Sequence, residues 1–194
     1  MLIKTDRYRH RYTAFEMYRV FLDALASIAI IKRNRQTHIV DEAFVERLML
    51  AVTEVNGCAL CSYAHAKMAL EIGFSEEEVS AFFAGSDAFV TPREAKAILF
   101  AQHYADVQGQ IDPKEYERLV AEYGEEAVVI LAAIRVMMAG NVIGLPYSAI
   151  QSRFKGVRYT NSSIFYEIGM ALAPLILIPL ALLHHLGRSM FARS

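Results

Sequence analysis

The sequence predicts an all-α protein, on three observations. Apolar residues recur at the three- and four-residue spacing of a single helix face in segment after segment. The breaks between segments carry helix-start chemistry, with an N-cap residue, proline at the first helical position or an acid three residues on, and glycine marks the stops. No stretch alternates as a strand does, and no Asn-Gly or Asp-Gly pair joins two such stretches. At 194 residues the chain is read as one domain with room for a substantial core.

Taken in order, Phe15, Tyr18, Phe21, Leu22, Leu25 and Ile28 share a helical face, and the basic run Lys32-Arg33-Asn34-Arg35 is read as its end. Asp41 is the expected N-cap of a helix to about Val55, with Phe44, Leu48, Ala51, Val52 and Val55 on one stripe. Gly57 stops that helix and lets the next begin at Cys58 and run to Gly73. Ser75-Glu76-Glu77-Glu78 reads as a capping box for a short helix closing near Gly85. Thr91-Pro92-Arg93-Glu94 is a second capping box, for a helix to about Val107, and Asp112-Pro113-Lys114-Glu115 repeats the device for one ending near Gly124. Glu125 to Ala139, with Val128, Val129, Ile130, Leu131, Ile134 and Val136, is the expected central core helix. The paired Met137-Met138 reads as core filler.

The last forty residues differ in character. Lys155 to Ser163 is polar, whereas Ile168 to Leu183 carries no charge and contains Pro174 and Pro179. His184, His185 and Leu186 extend that run, and Lys155, Arg158, Arg188 and Arg193 flank it. Its first reading is a proline-kinked helix packed against the core or a neighbouring subunit; its second is membrane contact over residues 168–186. A hydrophobic share of 55% points the same way, to surface buried between subunits or set against a membrane. A net charge of −1 with no basic run gives no electrostatic case for nucleic acid. Lys4, Arg7, Arg9 and Arg11 near the start are not followed closely by an apolar run, so no signal peptide is expected. Two cysteines in one CxxC, with none left to staple a fold, fit a reducing compartment and a chemical pair; the cytoplasm is the expected location.

That pair is the centre of the sequence. Glu54 to His65 holds both cysteines, Cys58 and Cys61, with His65 four residues after the second. The first turn of a helix offers unpaired N–H groups and the positive end of the helix dipole, which favour thiolate over thiol. Cys58, Cys61 and His65 stand at i, i+3 and i+7, on one face, and adjacent turns bring two Cα atoms to roughly 5–6 Å, within reach of a disulfide. A reversible dithiol beside a proton carrier is the simplest reading. Glu46 lies twelve positions before Cys58, in the preceding helix.

The pattern Glu46, eleven residues, Cys58-x-x-Cys61, three residues, His65 resembles the active-site signature of the alkylhydroperoxidase D (AhpD)-like branch of the carboxymuconolactone decarboxylase superfamily. Asn56-Gly57-Cys58, the run Ala66 to Gly73, Ala95 to Tyr104 and Glu125 to Asn141 add to the likeness. It covers roughly residues 41–150, leaving 1–40 as an N-terminal helical extension and 151–194 as a hydrophobic C-terminal one. The resemblance implies a compact all-helical fold, a homo-oligomer (trimer or hexamer), and reduction of alkyl hydroperoxides through the cysteine pair. By position Cys61 is then the peroxidatic cysteine, Cys58 resolves it, and Glu46 with His65 forms the proton relay. An external dithiol or thioredoxin-like protein restores the thiols, and neither a metal nor a bound organic cofactor is implied. One departure stands out: where some members carry a second histidine before the second cysteine, this chain has Leu60. Tyr63 is nearby with no role assigned to it.

Other readings stay open at this stage. The cysteines fit a buried core pair, or zinc ligands together with His65 and Glu46. The decarboxylase branch of the superfamily is a further reading, although its members typically lack the cysteine pair. From a different class comes a non-catalytic helical oligomer whose CxxC senses redox state, or whose C-terminus docks on a membrane. His103, His184 and His185 read as surface or packing residues rather than ligands.

Overall fold

Helix starts follow the capping chemistry of the sequence. In the computed structural model, which describes residues 6–86 and 88–191, Thr13 accepts from the Glu16 N–H and Glu16 returns to the Thr13 N–H, opening α1 (Ala14–Thr37). Asp41 caps α2 (Glu42–Asn56), and Gly57, at φ 68°, turns the chain into α3 (Ala59–Glu71). There follow α4 (Glu76–Phe83), α5 (Pro92–Asp106), α6 (Pro113–Tyr123), α7 (Glu126–Phe154), α8 (Ile164–Leu172) and α9 (Pro174–Phe191). The described residues contain no strand, so the fold is all-α. The capping boxes at Thr91 and Asp112 form as expected, each with proline in the first turn.

The layers assemble around α7. Its Ile130, Ile134, Met138, Asn141 and Val142 are fully buried, and α1, α2 and α3 pack on it. α5 backs α2, α6 and α8 cover further parts of α7, and α9 lies along α1. Met137 and Met138 are buried as expected.

Four expectations need correction. α1 does not stop at the basic run but continues through it to Thr37, closing at the left-handed His38. Lysine and arginine are good helix formers. Asn34 is buried there and exchanges two hydrogen bonds with the Val40 backbone, which fixes the return of the chain. The face α1 buries is also rotated: Met17, Val20, Phe21 and Ala24 face inward while Phe15 and Ile28 are exposed. Ser75 caps α4 singly, because the Glu78 carboxylate turns to Arg47. α7 runs on to Phe154 through Pro146, since the buried face continues past the proline with Ser148 and Ala149.

The C-terminal helices keep helical backbone between them (Ala173 at φ −51°, ψ −38°), with Pro174 opening α9. Their inner side is packed: Glu167, Pro174 and Ala181 are buried, and the Tyr18 hydroxyl meets His184 Nδ1 at 2.7 Å. Their outer side is uncovered. Among the described residues two stretches are long and apolar enough to cross a membrane: Glu126–Phe154, whose most apolar window is 67% buried in the fold, and Ile164–Arg188, only 28% buried. Lys4 and Arg193 lie outside the described residues.

Candidate active site

Cys58 occupies the N-cap of α3, with its sulfur accepting the Cys61 N–H at 3.2 Å. Cys61 sits one turn on, and the two are joined as a disulfide with a Cα separation of 5.2 Å. The turn is held from several sides. Asn56 accepts the Tyr12 hydroxyl at 3.0 Å and donates to Val52 O and Met138 Sδ. The Ser62 hydroxyl donates to Cys58 O, while the Leu60 N–H donates to Ser148 Oγ. Arg9 lies against Gly57 and reaches Val55 O and Glu54. Tyr12 and Arg9 belong to the N-terminal extension, which therefore supports the cysteine turn.

The second pair forms between helices. Glu46, buried on α2, meets His65 Nδ1 of α3 at 2.6 Å, and the imidazole is only 14% exposed. With the carboxylate ionised, Nδ1 carries the donated proton and Nε2 is left to exchange one. His65 is one helical turn beyond Cys61 on the same helix. All four expected residues thus fall in one α2–α3 corner: the cysteines bonded to each other, the glutamate to the histidine. Leu60 and Tyr63 are exposed, and neither enters this hydrogen-bonded set through its side chain.

Two further residues shape the site, both on α7. A Cβ on Gly144 would lie 2.6 Å from Cys61 Sγ and 2.7 Å from Cys58 Sγ, so only glycine lets α7 pass this close to the disulfide. Ser148, one turn on, links Leu60 N to Gly144 O. The signal for them was a run of small residues four apart, Gly140, Gly144 and Ser148, on one helical face. Gly140 O stands 3.7 Å from Cys61 Sγ, ready to accept from the thiol once the disulfide is reduced.

Both cysteines are buried; as whole residues Cys58 is 0% exposed and Cys61 7%, so only Cys61 reaches solvent. The helix-start N–H on Cys58 favours its thiolate and makes it the better leaving group when a thiol attacks Cys61. Among the described residues no three or more His, Cys, Asp and Glu side chains are gathered to share a metal ion. His103 pairs with Glu115 on the surface, and His184 packs on Tyr18.

Residues 37–103, which carry Glu46, Cys58, Cys61 and His65, match the carboxymuconolactone decarboxylase family. Over 91 residues, 46% of this chain, the sequence is 30% identical to a Bacillus subtilis (strain 168) protein named "Uncharacterized protein YdfG". The chain spans 62% of that relative's length. No solved structure matches. Gly144, Ser148 and the two C-terminal helices lie beyond the family match.

Proposed function

We propose that the protein is a cytoplasmic thiol-dependent peroxidase, a disulfide oxidoreductase that reduces alkyl hydroperoxides. The observation that carries this reading is the Glu46–His65 hydrogen bond beside a cysteine pair bonded across one helical turn. In the reduced enzyme His65 takes the Cys61 proton, with Glu46 stabilising the imidazolium that forms. The Cys61 thiolate attacks the outer peroxide oxygen; the O–O bond breaks, and the leaving alkoxide takes a proton from the relay to become an alcohol. Cys61 is now a sulfenic acid. Cys58 attacks that sulfur, the S–O bond breaks, and the hydroxyl leaves as water with the Cys58 proton. An external dithiol, small or borne on a thioredoxin-like protein, then attacks the more accessible Cys61, releases Cys58 and carries away the disulfide as its own oxidised form.

Counting thiols tests the reading. Reduced wild type treated with one equivalent of an alkyl hydroperoxide is expected to lose both thiols to an internal disulfide. Cys61→Ser should keep its remaining thiol, and Cys58→Ser should stop at a sulfenic acid that a dimedone-type reagent traps. Wild-type thiols that survive the peroxide would refute the proposal.

A further inference from the structure

The outward face of the C-terminal helices is unlike any other surface of the molecule. Phe165, Ile168, Leu172, Leu175, Pro179 and Leu183 follow one another at helical spacing across α8 and α9, and all are exposed. The most apolar window of Ile164–Arg188 has a mean hydropathy of 2.0, yet only 28% of it is buried. An apolar face of this size on a protein surface marks a contact site.

Charge says what covers it. After Glu126 the chain carries Arg135, Arg153, Lys155, Arg158, Arg188 and Arg193 against a single acid, Glu167. Residues 127–194 are therefore net +5 and residues 1–126 net −6, within a total of −1. Glu167 is fully buried and paired with Arg153 through two hydrogen bonds, so those two charges cancel and Lys155, Arg158 and Arg188 remain as the exposed charges of this region. The apolar stripe is thus bounded by exposed Lys155 and Arg158 at its head and exposed Arg188 toward its foot. Beside the head stand Phe154 at 88% exposure and Phe165 at 85%, and Arg11 lies over the Tyr166 ring at 4.3 Å. Two copies joined on this face would meet basic end to basic end, whether parallel or antiparallel. Basic residues with exposed aromatics at the rim of an apolar stripe instead match the headgroup region and acyl boundary of an anionic bilayer.

We propose that this face seats the protein on the surface of an anionic lipid bilayer. The helices lie on the membrane rather than crossing it, because their inner side stays packed on α1 and α7 through Ala181, Glu167 and the Tyr18–His184 contact. The proposal is independent of the peroxidase reading.

Vesicle flotation of the full chain tests it, with sedimentation velocity in the absence of lipid. Wild type is expected to float with vesicles containing phosphatidylglycerol, and at least roughly tenfold less with pure phosphatidylcholine or in high salt. The double variant Lys155→Glu/Arg158→Glu should lose roughly tenfold or more of that binding, and Leu175→Glu/Leu183→Glu most of it, with melting temperatures checked for both. Two results overturn the proposal. One is wild type that ignores anionic vesicles while forming an oligomer that Leu175→Glu/Leu183→Glu breaks, which gives the face to a second copy. The other is vesicle binding insensitive to lipid charge, salt and charge reversal.

Discussion

Glu46 and Arg47 are neighbours on α2, both largely buried, and they are partnered in opposite ways. Glu46 is given a histidine of α3, whose ring nitrogens can both donate and accept a proton. Arg47, which is always charged, is given two carboxylates, Glu94 of α5 at 2.9 Å and Glu78 of α4 at 3.0 Å, and lies over the Phe74 ring. One pair can move a proton; the other can only hold three helices in place. The difference teaches that a buried ionic contact declares its role through its partner's ability to titrate, more than through its distance.

The largest effect expected on the structural side comes from Arg47→Met. Removing the guanidinium strands Glu94 and Glu78, and an uncompensated buried charge costs about 3–5 kcal/mol. Urea unfolding should show that loss, and the residual folded protein should still form its disulfide with an alkyl hydroperoxide at the wild-type rate. Gly144→Ala probes the chemical side by packing alone. A methyl pressed against both sulfurs forces α7 or the cysteine turn to shift, at a cost of about 1–3 kcal/mol in the oxidised protein, read as a lowered melting temperature.

Glu167 supplies a pH control for the comparison. The Arg153 hydrogen bonds hold its carboxyl below the ordinary range in the folded protein. Its stabilisation is therefore fully present above the usual carboxylate pKa and is lost as pH falls through the folded value. Stability measured from neutrality into acid should fall less steeply in Glu167→Gln than in wild type. The smallest effect is expected from Thr91→Ala. Glu94 holds Arg47 with one oxygen and closes the Thr91 capping box with the other, so losing the cap hydroxyl should cost about 1 kcal/mol in thermal unfolding.

How much of this was legible follows the range of the interactions. Caps are local, so Asp41, Thr91 and Asp112 announced their helices, and Gly57 announced the turn that exposes Cys58 to a helix start. The spacing of Glu46, Cys58, Cys61 and His65 brought the site residues to one corner because α2 and α3 are consecutive and separated by a single tight turn. What the sequence hid depended on distant partners. The missing half of the Ser75 box was set by Glu78 choosing Arg47 of another helix. The expected core helix ended at Ala139 because the packing that carries α7 on to Phe154 comes from other helices. Gly144 stood in a visible run of small residues, but its partners did not show, since the sulfurs it makes room for lie more than eighty positions away.

The division of work between Glu46 and Arg47 is tested most directly by the rate at which reduced Glu46→Gln forms its disulfide with an alkyl hydroperoxide at neutral pH, measured together with its melting temperature. The account predicts a rate lowered by about 100-fold or more with little change in melting. A wild-type rate, or a slow rate explained by a collapse in stability, would contradict it.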